Sequence, residues 1–459
     1  MNRPVQSKAM IYWYRRVILL AIPLILSNLT QPLLSTVDTI LSGHLPGAAA
    51  LGGVAMGGIF FNAVFWTFGF LRMGTTGLVA QAHGARDDAS LRLHFLRALA
   101  SAVAIGALVL AVQGPLISLT IMLLGASAEV RVNALLYCHI RIWSAPAALA
   151  NYVILGYLLG RQRARTALAL QAAVNVVNVI VALWLVIEMH WGVAGIATGT
   201  LTADWAGCAI GLVLTRSAHA RTQSDAPTHW RELIDGPSLR HLFALNRDIF
   251  LRTLGLVAAY GWFTRAGARA GDATLAANAV LMNLHFIASY GLDGFANATE
   301  ALVGEAVGAG RVKDYRAVLR ASTTAALAVA VGISLIYFGF GTRLVGVFTN
   351  QEAVKLTALR YLPWAVVLPV VSVWGFQGDG IFIGATRAKE LRDSMLISFF
   401  VFLGLAVVFE KWFGNNGLWC AFCFFMGLRG LTLAVRLPRI EKGFVVRTGT
   451  SVPVFEPRQ

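Results

Sequence analysis

Long apolar stretches alternate with short charged ones along the whole chain. Runs of Leu, Ile, Val, Ala and Phe recur from residue 17 to residue 435. Each is about 20 residues long, enough for an α-helix to cross a hydrocarbon core. The pattern predicts spans at 17–41, 48–82, 96–116, 134–159, 167–187 and 193–214, and again at 249–264, 273–304, 322–341, 358–385, 394–410 and 417–435. The ten-residue alternation of a transmembrane barrel is missing. An all-α polytopic membrane protein with 12 transmembrane helices is expected.

Composition agrees: 57% of residues are apolar, 13% are charged, and the mean hydropathy is +0.67. An ordinary soluble domain is excluded on these values. The net charge of +16 raises the question of a polynucleotide partner, and its placement answers it. Most Lys and Arg lie in the segments on the N-terminal side of the bilayer, as the positive-inside rule requires of cytoplasmic loops. Both termini are therefore expected in the cytoplasm, and no nucleic acid is expected as a partner. The first apolar run is too long for a cleaved signal peptide and lacks a small-residue cleavage pattern, so it reads as a retained span.

An internal repeat divides the chain. A shift of 224 residues lays LPGAAALGGVAM (from Leu45) over RAGDATLAANAV (from Arg269), and LVAQAHGAR (from Leu78) over LVGEAVGAG (from Leu302). Gly47 then falls on Gly271, Thr75 on Thr299, Gly84 on Gly308, Tyr137 on Tyr361 and Gly160 on Gly384. Two six-helix lobes related by pseudo-twofold symmetry follow. Six spans per lobe is an even number, so the repeats are parallel, an arrangement that transporters use. The expected organisation is a first lobe at 1–215, a cytoplasmic linker at 216–247 containing Pro227 and Pro237, a second lobe at 248–437 and a cytoplasmic tail at 438–459.

The first span contains a helix breaker and a single acid, Pro23 and Asp38, roughly 22 Å apart along an ideal helix. An ionisable group at membrane depth is costly and marks an ion, proton or substrate pathway. Neutral polar residues suited to either protonation state lie on other spans: Tyr137 at the start of the fourth, Asn175 and Asn178 on one face of the fifth, and Thr200 beside Thr198 and Thr202 on the sixth. Asp38 falls on Trp262 in the repeat, so the coupling machinery is expected to be asymmetric. The second lobe has its own charges. Asp248 and Arg252, four apart, are expected to neutralise each other. Asp293, Glu300, Asp379 and Arg429 are expected to form a buried polar network. Phe60, Phe61, Phe65, Trp66 and Phe70 read as core or lipid-facing packing. Cys138, Cys208, Cys420 and Cys423 read as inert thiols, because Cys420-x-x-Cys423 has no second pair at metal-ligand spacing. No metal site, cofactor or phosphate-binding loop is expected, so neither an enzyme nor an ATP-driven pump.

The P-x14-D spacing, the motif STVDTILSGHLPGAAALGGVAM and the loop AQAHGARD resemble the multidrug and toxic compound extrusion (MATE) family. NRDIFLRT (Asn246–Thr253), YGLDGFANATEALVGEAVGAG (Tyr290–Gly310) and DGIFIGATRAKELRDSM (Asp379–Met395) resemble its DNA-damage-inducible F (DinF) branch. The resemblance implies a V-shaped, monomeric antiporter of a bacterial-type inner membrane that exports small organic, often cationic, compounds against H+ or Na+. It implies that Asp38 is the coupling carboxylate, Pro23 the bend of the first helix, and Tyr137, Asn178 and Thr200 polar first-lobe positions. Related members place a second acid where this chain has Ala182. Hard cations need several oxygen ligands, so H+ is expected as the coupling ion in preference to Na+. The rival is a lipid-linked precursor flippase, which should line its cavity with cationic groups; the intramembrane arginines are Arg72, Arg141, Arg252 and Arg429.

Overall fold

The computed structural model describes residues 3–125, 127–219, 230–233 and 235–449. Pro227 and the last ten residues of the expected tail lie outside the described residues. The first half of the chain forms α1 (Arg3–Gly43), α2 (Ala48–Thr67), α3 (Phe70–Ala85), α4 (Asp88–Ala111), α5 (Gln113–Leu124), α6 (Ala128–Arg141), α7 (Ala145–Gly160), α8 (Ala164–Leu183) and α9 (Gly192–His219). After α10 (Trp230–Leu233) come α11 (Gly236–Arg269), α12 (Asp272–Gly308), α13 (Val312–Phe348), α14 (Glu352–Gly384), α15 (Ala388–Phe413), α16 (Asn415–Ala434) and α17 (Leu437–Gly449). No strand occurs among the described residues.

Eleven segments among the described residues are long and apolar enough to cross a membrane. The predicted span 249–264 lies in α11, which is not one of the eleven: the helix also contains Arg240, Arg247, Asp248, Arg252 and Arg265, which lower its apolarity. Four predicted spans are not one continuous α-helix: 96–116 breaks at Val112, 167–187 passes from α8 into a π-helical turn at Trp184–Glu188, and 48–82 and 134–159 break between α2 and α3 and between α6 and α7. Between α2 and α3, the N–H groups of Phe68 and Gly69 reach back only three residues, to Phe65 O and Trp66 O at 3.0 and 3.1 Å, and tighten the chain there. Between α6 and α7 a 3-10 turn, Ile142–Ser144, precedes Pro146 in the first turn of α7, where a residue without N–H is tolerated.

The surface is the inverse of a soluble protein's. Phe338, Val347 and Trp412 are 79%, 80% and 74% exposed, while Asn178, Thr299 and Arg429 are buried. Apolar side chains facing outward around satisfied backbone suit a lipid environment.

The chain packs into two units. One takes the chain up to Ile25, Ala80–Arg86, and the chain from Ala244 onward; the other takes Leu26–Val79 and Asp87–Phe243. The helix α1 is thus shared, its first part packing with the second-half helices. In the unit that begins with α1, an aromatic core joins α11, α12, α15 and α16: Phe263 meets Trp419 edge-on at 4.8 Å and Phe422 at 5.1 Å. Asn278 Nδ2 donates to Asn415 Oδ1 at 2.8 Å, Asn415 Nδ2 donates back to Asn278 Oδ1 at 2.9 Å, and Trp419 Nε1 donates to Asn278 Oδ1 at 2.9 Å.

The ends of α3 and α12 touch backbone to backbone in that same unit. Gly308 lies on the Gln81 carbonyl and Gly84 on the Glu305 carbonyl, the two glycines that the repeat superimposes. Gln81 Nε2 then donates to Gly384 O and Thr386 Oγ1, both at 3.0 Å. A Cβ at Gly308 has nowhere to go, because its neighbour is main chain rather than a movable side chain. Gly308→Ala is expected to lower stability by about 1–3 kcal/mol, the usual cost of overpacking. Gly332→Ala, which meets nothing within 4 Å, serves as the control and is expected to be neutral. Thermal unfolding of the purified variants in detergent reads the difference.

Candidate functional site

The first-lobe site is assembled by α2, α6, α8, α9 and the part of α1 from Leu26 onward, which belong to one unit. Asp38 is 5% exposed on α1. Tyr137, 1% exposed on α6, donates its hydroxyl to Asp38 Oδ2 at 3.2 Å. The Tyr137 ring is held against α2 at Gly57, where any Cβ would collide with it. One turn later on α6, Arg141 Nη1 donates to Tyr137 Oη at 2.6 Å, and the guanidinium lies over the Phe61 ring at 4.5 Å. A guanidinium has no acceptor, so the Tyr137 proton is directed at the carboxylate. The other carboxylate oxygen, Asp38 Oδ1, is buried with no hydrogen-bond partner among the described residues.

The remaining predicted residues divide. Asn178 Nδ2 donates to Thr200 Oγ1 at 2.9 Å, and Thr200 lies close enough to act on the Asp38 carboxyl. The flanking threonines turn back on their own helix, Thr198 to Ala194 O and Thr202 to Thr198 O, both at 2.8 Å. Thr200 is therefore the member of the trio that joins α8 to α9. Asn175 reaches α1 instead, donating to Thr30 O at 3.3 Å. The amide oxygens of Asn175 and Asn178 are buried and unpartnered, like Asp38 Oδ1. Pro23 is buried, and α1 is helical on both sides of it.

In the second lobe, Asp379 on α14 binds two arginines, Arg252 from α11 and Arg429 from α16, the latter at 2.8 Å. All three are buried. Arg429 also reaches Met426 Sδ at 3.2 Å and feels the charge of Asp293 on α12. Glu300 is buried two turns beyond Asp293 on the same helix. The expected mutual neutralisation of Asp248 and Arg252 does not occur. Asp248 takes Arg392 of α15 at 2.8 Å and Arg247 at 3.1 Å, because Arg252 points across to Asp379.

The MatE family model matches residues 23–184 and 262–412, most of both halves. The chain belongs to the MatE family. DNA damage-inducible protein F of Escherichia coli K12 is 42% identical over 418 residues, covering 90% of each chain. A probable multidrug resistance protein NorM of Acinetobacter baylyi is 24% identical, covering 91% of this chain and 94% of its own. A solved MATE in the bent conformation superimposes with a TM-score of 0.83 over 95% of this chain and 99% of its own, at 18% identity. A MATE in the straight conformation gives 0.81 over 95% and 97%, also at 18% identity. These structures share the fold: helices in two six-helix lobes.

Against the MatE pattern, Arg141 is the residue that reading the sequence left out of the first-lobe site. Its signal was present: Tyr137 and Arg141 are four apart, hence on one helix face. Asp204, four residues after Thr200 on α9, also interacts with Arg141. Of the aromatics read as packing, Phe60 and Phe61 are each 1% exposed and Trp66 is 47% exposed; Phe61 additionally carries the Arg141 guanidinium. Position 182 is closed: Ala182 faces Gly199 so tightly that a Cβ there would lie 2.7 Å from the Ala182 Cβ.

Removing Asp379 leaves two buried guanidinium groups without their shared counter-charge. Asp379→Asn is expected to cost about 3–5 kcal/mol, as for other buried pairs broken on one side. Asp393→Asn, at the more exposed end of the Arg392 pair, is expected to cost under about 1 kcal/mol. Chemical or thermal unfolding in detergent measures both.

Proposed function

We propose that this chain is a secondary exporter of small organic compounds, often cationic, driven by H+ entering through Asp38. The observation that carries the reading is the unequal treatment of the two Asp38 oxygens: Oδ2 receives the Tyr137 hydroxyl, and Oδ1 is buried without a donor among the described residues. A bare carboxylate buried with one oxygen unpartnered is costly, and a proton placed on Oδ1 removes the buried charge. The Tyr137 bond to Oδ2 survives the event, so the side chain keeps its place while its charge changes. The family membership and the names of relatives such as NorM support multidrug export as the process served.

Bending of the first helix is the proposed output. A proline inside a helix cannot donate to the carbonyl one turn back, so α1 is weakest at Pro23. Just beyond it, Ile25 packs backbone-close against Gly294 of α12, and from Leu26 the helix packs with the other unit. The change of packing partner falls next to the weak point. Solved MATE structures exist in bent and straight conformations, which supports a fold with two states. A proton drives the change only through different affinity for the two states.

Sodium coupling is the less favoured reading, because the tight α8–α9 contact at Ala182 leaves no room for the additional carboxylate. A flippase for lipid-linked precursors is also disfavoured: Arg252 and Arg429 are engaged by Asp379, and Arg141 by Tyr137. The bilayer placement proposed is an inner membrane with both termini cytoplasmic.

The test is export from vesicles under separately imposed pH and Na+ gradients. The pH gradient alone is expected to drive export by the wild type, and Asp38→Asn to abolish it while the protein still inserts and folds. Export driven solely by Na+, or full proton-driven export by Asp38→Asn, contradicts the proposal.

A further inference from the structure

Resting on that reading, we infer that Arg141 is a resident cation that keeps metal ions out of the first-lobe site and so sets its selectivity for the proton. Two oxygens there have no donor among the described residues, Asp38 Oδ1 and Asn178 Oδ1. Such acceptors are the ligands a hard cation takes, so a shortage of oxygens by itself does not exclude sodium. Charge does.

The guanidinium is fixed in place. Its own helix offers the Tyr137 hydroxyl at 2.6 Å, α2 offers the Phe61 face at 4.5 Å, and the Tyr137 ring beneath is braced at Gly57. It interacts with two carboxylates on different helices, Asp38 of α1 and Asp204 of α9. The Asp204 turn is itself anchored by Asn151 Nδ2, which donates to the Asp204 carbonyl at 2.9 Å. Phe61, Asn178 and Thr200 lie beside these groups, and Tyr152 and Cys138 also interact with the guanidinium. Asp38 thus already faces a positive charge, one it shares with Asp204, through one intervening hydroxyl.

A second cation bound at Asp38 would sit roughly 6 Å from that charge, and at an effective dielectric of about 20 the repulsion weakens its binding on the order of a hundredfold. The same field acts on a proton, with a different balance. A proton bonds covalently to one oxygen, needs no coordination shell and ends the burial of a bare carboxylate. A sodium ion has to shed water, gather several oxygens and keep its charge beside the guanidinium. Arg141 acts on coupling through Tyr137 and through its field, and is a positioning residue.

The experiment compares Na+ binding by full-length wild type, Arg141→Gln and Arg141→Lys, read by Na+-dependent thermal shift and by export under a Na+ gradient. Arg141→Gln keeps a donor for Tyr137 and removes the charge; Arg141→Lys keeps the charge. Wild type and Arg141→Lys are expected to show no Na+ dependence, and Arg141→Gln to gain at least about tenfold in Na+ affinity. That gain is expected to vanish in the Asp38→Asn, Arg141→Gln double variant. If Arg141→Gln does not fold, Arg141→Met tests the same loss of charge. Unchanged Na+ affinity in the neutral variant overturns the inference, as does equal affinity in the Lys and Gln variants. Wild-type export driven by Na+ and not by pH instead overturns proton coupling itself, so the two failures are distinguishable.

Discussion

A charge buried among membrane helices has to be answered where it lies, and Asp38 is answered on one side only. Its Oδ2 receives the Tyr137 hydroxyl, itself polarised by Arg141, while Oδ1 receives no donor among the described residues. Asp379 is the contrast. Two arginines hold that carboxylate, and its buried position and paired charges suit a fixed structural post. The two lobes therefore treat their acids in opposite ways. One acid is locked in a pair of ion bonds, and the other is left with a vacancy that a proton fits.

Close helix contacts produce that geometry. Lipid offers no hydrophobic drive to pull helices together, so small residues and interhelical polar contacts hold the bundle. Gly57 lets α2 press on the Tyr137 ring, which fixes where the hydroxyl points. Gly199 and Ala182 bring α8 and α9 together, and Asn178 and Thr200 bond across the same pair of helices. The first helix is the exception to this rigidity. It is continuous, yet it carries Pro23 just where it passes from one packed unit to the other. A rigid site attached to a helix with one weak turn can pass on a local charge change as a bend.

Much of the fold was legible because hydropathy and the repeat report it directly. The spans, their division into halves, and the pairing of Gly84 with Gly308 follow from patterns one residue wide. Breaks inside spans were less visible. The turn at Ile142–Ser144 has Pro146 as its cue, but the tightening at Phe68–Gly69 depends on hydrogen bonds that a lone glycine does not announce. Partner choice was the least legible. Asp248 and Arg252 have helical spacing for a pair, yet each finds a partner on another helix, and spacing within one helix contains no information about its neighbours. The same limit hid Arg141: the i,i+4 relation to Tyr137 was readable, whereas the position of Asp38 on the far side of that hydroxyl was not.

Proton exchange at Asp38 on substrate binding is the central claim, and it can be observed without a membrane gradient. Purified protein in weakly buffered detergent, mixed with a cationic substrate near neutral pH, should release protons in proportion to the bound substrate. Asp38→Asn should bind with no release. Equal proton release from the wild type and from Asp38→Asn would contradict the account, because the proton would then come from another group.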